Sequence, residues 1–96
     1  MRLGDDASIA EQDDTVVREV NGEAVLLHLV TERYYVLDGP STRMWRVLVE
    51  SPTFADAIRA LGDEHDVKVD VLRRDLERFV DELVEAGLVT VHDGRG

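Results

Sequence analysis

An α+β fold, with a three-stranded antiparallel sheet followed by three helices, is what this sequence predicts, and three observations predict it. Asn21-Gly22 sits between two runs rich in β-branched and aliphatic residues. That is the strongest short hairpin signal, because both central residues of a type I′ turn need positive φ. After Asp38 the strand-like pattern ends and apolar residues recur at helical spacing. Gly87 stands just past the longest such stretch, where a left-handed residue closes a helix.

The first strand is expected at about 15–20, Thr15-Val16-Val17-Arg18-Glu19-Val20, and the second at about 23–30. The near-continuous apolar run of the second suits a central strand covered on much of both faces. Thr31-Glu32 then turns the chain into a third strand, 33–37, with the sequence Arg33-Tyr34-Tyr35-Val36-Leu37. A meander in this order leaves the third strand at an edge, unless a later segment covers it. A free edge can accept an extended peptide from another chain.

Asp38 or Gly39 can cap the first helix, about 40–50, and Pro40 is tolerated in a first turn, where its missing N–H costs nothing. Met44, Trp45, Val47, Leu48 and Val49 give it a broad apolar face. Trp45 is expected in the core between the sheet and the third helix, near Leu48 and Phe79. Ser51-Pro52 breaks this helix. Thr53 with Asp56 forms a capping-box-like start for the second, about 53–62, whose apolar positions are Phe54, Ile58 and Leu61. The third helix, about 70–86, carries Leu72, Leu76, Phe79, Val80 and Leu83 as one stripe. Leu88 is placed to touch Leu83 in a Schellman close, and Val89-Thr90-Val91 can extend as a short wing.

The 96 residues make one domain, placed at 14–91. Residues 1–13 read as a mobile acidic arm with only Leu3 and Ile9 as anchors, and 92–96 as a flexible tail. No apolar run approaches the ~20 residues of a membrane span, and the first residues lack a secretory apolar stretch. Without cysteine, disulfide and thiol chemistry are excluded and the cytoplasm is the expected compartment.

Net charge is −10, which opposes nucleic-acid binding at long range. Lys68, Arg73, Arg74 and Arg78 form a local basic group that could meet an acidic peptide. His28, His65 and His92 lie far apart with no ligand spacing, and Asp63-Glu64-His65-Asp66 lacks the twelve-residue calcium-loop pattern. No Gly-rich phosphate loop is present, and Ser8, Ser41 and Ser51 lack a His-acid context. The chain reads as a binding module and not an enzyme, with no metal and no cofactor.

Several stretches in order resemble the PqqD-like family, also called RiPP recognition elements, whose members bind the leader of a ribosomally made precursor peptide. They are Ala24-Val25-Leu26-Leu27, Tyr34-Tyr35-Val36-Leu37-Asp38, Met44-Trp45, and Asp75 to Leu83 with Gly87-Leu88-Val89. The resemblance implies a winged helix-turn-helix-like fold and a leader that adds as an antiparallel strand to strand three, against the third helix. Carried over by position, the peptide-binding residues are Arg33, Tyr34, Tyr35, Val36 and Leu37 on the strand. On the helix they are Val69, Leu72, Arg73, Leu76 and Val80. The same pattern also suits Leu37, Leu72, Leu76 and Phe79 as core.

A freestanding acidic domain of this kind is similar to those of lasso-peptide biosynthesis. There the partners are a leader peptidase and then a cyclase or other maturation enzyme. A peptide chaperone for a radical SAM enzyme of the pyrroloquinoline quinone type is the alternative within the family. From other classes, a winged-helix DNA-binding regulator rests on Arg73, Arg74 and Arg78 and is opposed by the −10 charge. An adaptor without a peptide ligand is a further reading. A monomer or weak dimer is expected, since an exposed strand edge can pair with its own copy.

Overall fold

Positive φ at Asn21 (53°) and Gly22 (82°) closes the first hairpin, as the Asn-Gly pair requires. In the computed structural model, which describes residues 3–64 and 66–93, this hairpin joins β2 (Thr15–Val20) to β3 (Glu23–His28). A shorter strand, β1 (Ser8–Glu11), precedes them, and β4 (Tyr34–Leu37) follows. The chain continues as α1 (Gly39–Glu50), α2 (Phe54–Glu64), α3 (Val69–Glu85) and β5 (Val89–His92). The order β2-β3-β4 is the predicted meander. His65, in the acidic loop of the sequence, lies outside the described residues.

β3 ends two residues before its predicted limit because the backbone bonds of the next residues go into a turn. Glu32 has φ 62°, and its N–H donates to the His28 carbonyl at 2.8 Å, while the His28 N–H donates to the Arg33 carbonyl at 2.9 Å. Two residues thus oppose one, the pattern of a G1-type bulge, with Glu32 in the place usually held by glycine. The His28 ring supports this turn, its Nδ1 accepting the Val30 and Thr31 N–H groups at 3.2 Å each. Nor is β3 covered on both faces. Ala24 and Leu26 are buried on one, whereas Val25 and Leu27 on the other keep partial exposure.

The helix ends follow their capping residues. The Asp38 carboxylate accepts the Ser41 N–H at 2.8 Å, which holds its pKa below the ordinary aspartate value. Thr53 and Asp56 bond each other at the start of α2, through the Asp56 N–H and the Thr53 hydroxyl. After α3 the Leu88 N–H reaches the Leu83 carbonyl and the Gly87 N–H reaches Val84, each at 3.0 Å, with Gly87 at φ 75°. This is the Schellman pair expected of the Gly87-Leu88 sequence.

Trp45 (4% exposed) and Leu48 of α1, Phe54 and Leu61 of α2, and Leu72, Leu76, Val80 and Leu83 of α3 join Ala24 and Leu26 in the core. Phe79 is only partly buried against it.

The N-terminal segment departs from the arm expected at 1–13. Met1 and Arg2 lie outside the described residues, but Leu3, Ala7 and Ile9 are buried, and β1 pairs antiparallel with β5 from Ser8↔His92 to Glu11↔Val89. The Asp5 and Ala7 carbonyls accept the Ala55 and Phe54 N–H groups at 3.0 and 2.6 Å, closing the first turn of α2. An acidic stretch is held because its few apolar residues reach the core and its backbone satisfies a helix start and a strand edge. At the other end His92 belongs to β5, and 94–96 lie outside the described residues.

Candidate peptide-binding site

β4 is an edge strand, because β5, the segment that could have covered it, pairs with β1. Its inner neighbour sets which backbone groups remain available. The register places Leu27↔Tyr34, Leu26↔Tyr35, Val25↔Val36 and Ala24↔Leu37. The Arg33 carbonyl points inward to His28. Inward and outward bonding alternates along an antiparallel strand, so Tyr35 and Leu37 also face β3. The N–H and C=O groups of Tyr34 and Val36 therefore point outward, in the geometry that accepts another strand.

Side-chain direction alternates with the same period. Leu37 is buried beside Ala24, and Tyr35 lies on the Leu26 side. Tyr34 (67% exposed) and Val36 (60%) stand on the opposite face. These two residues thus present both free backbone groups and exposed apolar side chains.

A buried hydroxyl anchors the end of this strand. Thr42 of α1 accepts the Ala24 N–H at 2.8 Å and donates to the Leu37 carbonyl at 3.2 Å. It sits where a direct Ala24–Leu37 ladder bond would be, and so ties the edge strand to both β3 and α1. Thr42→Val is expected to lower stability by about 1–3 kcal/mol, because the Ala24 N–H loses its partner inside the core. Thr42→Ser should recover most of it. Urea unfolding of the two variants measures the difference.

The α3 residues named from the sequence do not share one environment. Leu72, Leu76 and Val80 are core residues. Arg73 is held within the chain. It donates to the Leu3 carbonyl at 3.1 Å, pairs with Asp5, and lies 5.3 Å from the centre of the Phe54 ring. Glu77, one turn on, accepts the Leu3 N–H at 2.7 Å. This flank of α3 is thus covered by the N-terminal segment. Val69 (60% exposed) stays open at the first turn, and Arg74 and Arg78 are exposed.

The sequence reading passed over Val67 and Val71, both exposed. Val71, Asp75 and Phe79, at i, i+4 and i+8, share the flank of α3 opposite Arg73 and Glu77. The available signal was a valine lying off the core stripe of its own helix. Among the described residues no cluster of three or more His, Cys, Asp or Glu is placed to hold a metal ion, and no helix is long and apolar enough to cross a membrane.

An open edge strand beside a helical layer is the arrangement that the family resemblance implied. The sequence profile of the coenzyme PQQ synthesis protein D (PqqD) family matches residues 23–89. The chain belongs to the PqqD family, the RiPP recognition elements. Members of this family bind leader peptides and are not catalysts. No curated protein matches the chain significantly.

Two solved structures are similar to this PqqD-family chain. TbiB1 in complex with the TbiA(beta) leader peptide is 31% identical, with a TM-score of 0.78, over 83% of this chain and 93% of that one. A lasso peptide synthetase B1 complexed with its leader peptide has the same TM-score of 0.78 at 22% identity, over 86% of this chain and 98% of that one. The second likeness is one of fold. Both alignments extend beyond the 23–89 core of the profile, and β2 and the N-terminal segment lie outside that core.

Proposed function

We propose that this chain binds the leader of a ribosomally synthesised precursor peptide as an antiparallel strand on β4 and presents it to maturation enzymes. The observation that carries the reading is the open edge at Tyr34 and Val36, whose outward N–H and C=O groups follow from the β3–β4 register. Backbone pairing there supplies affinity with little dependence on sequence, and side chains entering pockets supply selectivity. Tyr34 and Val36 are the strand contacts, with Arg33, Tyr35 and Leu37 shaping the strand. Val69 and Val71 are the exposed apolar groups offered by α3, while Leu72, Leu76 and Val80 back the helix from the core. Arg74 and Arg78 suit a carboxylate on the leader better than Arg73, which already has partners.

The likeness to TbiB1, solved with its leader peptide, supports leader binding, and the setting proposed for it is lasso-peptide biosynthesis, with a leader peptidase and then a cyclase as the enzymes served. The family description supports the second reading, a chaperone of pyrroloquinoline quinone type maturation. The two differ in the enzyme that uses the loaded complex and not in the edge.

Titration with labelled candidate leader peptides, followed by amide hydrogen exchange, tests the proposal. Binding should protect the Tyr34 and Val36 amides and leave the already bonded Tyr35 amide little changed. Saturable binding without protection at Tyr34 and Val36 would sink the edge model.

A further inference from the structure

The turn from β3 to β4 has no packing to hold it. Leu29 to Arg33 are all exposed, Val30 by 71%. Glu32 adds a left-handed backbone, which a residue with a side chain adopts at a cost. Hydrogen bonds therefore fix the shape of the turn, and each of its amides has an acceptor. Leu29 donates to the Asp14 carbonyl, Glu32 to the His28 carbonyl and Arg33 to the Thr31 hydroxyl. The remaining two, Val30 and Thr31, share one acceptor, Nδ1 of the His28 ring, at 3.2 Å each.

The ring is placed for this by the period of the strand and by a glycine. His28 points to the same side of β3 as the buried Ala24 and Leu26, toward the helices. There it lies against Gly87, where an added Cβ would come within 3.3 Å of both Cδ2 and Nε2 of the ring. Gly87 thus closes α3 and leaves room for the imidazole. A ring nitrogen that accepts N–H groups carries no proton, so the form that fits is the neutral ring with its hydrogen on Nε2. A proton on Nδ1 would turn the acceptor into a donor aimed at two other donors. The charged groups on the surrounding elements are Asp13 and Asp14 before β2, Glu32 and Arg33 in the turn, and Glu82 and Glu85 in the last turn of α3. His92 ends β5, the strand that follows Gly87. Carboxylates and guanidinium groups ordinarily titrate outside pH ~5–8, the range in which histidine changes charge.

We infer that His28 is a positioning residue for the leader edge, and that a proton on its Nδ1 releases the turn and weakens leader binding. The inference rests on the leader reading for that consequence. β4 has only four residues and is pinned at both ends. Thr42 holds the Leu37 end through bonds that do not titrate. At the other end the Arg33 carbonyl accepts the His28 N–H, and Tyr34, the first outward-facing residue, follows directly. Freeing Val30 and Thr31 lets that end fray, so Tyr34 loses its alignment with an incoming strand before Val36 does. An added strand needs both residues in line, since it bonds to their backbone. Binding is therefore strongest at neutral pH, where the ring accepts, and falls as the pH drops and Nδ1 takes a proton.

The test uses the full chain and a labelled candidate leader that binds it at neutral pH. Wild-type affinity should fall ~3–10-fold from about pH 7.5 to about 5.5, since a net hydrogen bond is worth ~2–12-fold in an equilibrium. His28→Asn keeps an acceptor where Nδ1 stands but does not titrate. It should bind as wild type does at neutral pH and show no such fall. His28→Leu has no acceptor and should bind at the weakened level at both pH values. His65→Gln and His92→Gln should leave the wild-type profile intact. Without leader, ring nitrogen shifts in NMR should place the hydrogen on Nε2 at neutral pH. The Val30, Thr31 and Glu32 amide signals should then move as the ring titrates, while Leu76 in α3 stays fixed and shows the fold intact. A wild-type affinity that stays flat, or a fall that His28→Asn retains, would overturn the inference. So would a ring with its hydrogen on Nδ1 at neutral pH, or His28→Leu binding as tightly as wild type there. A wild type that binds no candidate leader at either pH overturns the edge reading and the binding consequence with it, while the amide shifts still decide whether the ring holds the turn.

Discussion

Val36→Pro is expected to remove most leader binding while the protein unfolds at close to the wild-type temperature. The Val36 N–H points away from β3, so proline there removes no bond within the sheet. Proline is tolerated on an edge strand for this reason. An incoming strand, however, loses a donor worth about 0.5–1.5 kcal/mol, and meets the pyrrolidine ring where its own backbone should lie. The combined loss should exceed about tenfold in affinity, since 1.4 kcal/mol is a factor of ten. Tyr35→Pro is the matched control. Its N–H faces Leu26, so that variant should lose stability first. Leader titration and thermal unfolding on each variant separate the effects. Unchanged affinity in folded Val36→Pro would place the leader elsewhere.

Trp45→Ala is expected to destabilise the fold by about 3–5 kcal/mol, as truncation of a large core aromatic does. Trp45 is 4% exposed and belongs to the core cluster that also holds Ala24 and Leu26 of the sheet and Leu76 of α3. A domain of this size has about 5–15 kcal/mol in total. At about 4–8 °C per kcal/mol the melting temperature should fall steeply. Leader affinity should weaken only in proportion to the fraction unfolded. Melting temperature and affinity are measured on one sample. A variant that keeps its melting temperature and loses the leader would show Trp45 in contact with the peptide.

Much of the fold was legible locally. Asn21-Gly22, Asp38 before Gly39-Pro40, Thr53 with Asp56, and Gly87-Leu88 each specify a turn or a cap through bonds made within a few residues. β2 begins and ends where it was expected, and the helix limits agree within two residues. β1 was missed because its reasons are not local. Its partner is β5, at the other end of the chain, and its carbonyls serve the start of α2. The partners of Arg73 were illegible for the same cause, since Leu3 and Asp5 lie about seventy residues before it.

The site divides in the same way. Periodicity identified Leu72, Leu76 and Val80 as one apolar stripe, but a stripe reads alike whether it faces a core or a ligand. Burial is a property of the packed layers, and only packing put these three inside and left Val69 and Val71 open. Strand order likewise placed β4 last in the meander, but whether its edge stayed open depended on β5, whose pairing with β1 no spacing rule announces. By itself the sequence determined the elements, their caps and the presence of an aromatic strand at a sheet margin, because those follow from short-range hydrogen bonds and side-chain period. Tertiary structure alone decided that Tyr34 and Val36 carry the free backbone groups and that Thr42 holds the strand's end. Register, and the direction of each N–H, are fixed only once the strands have paired.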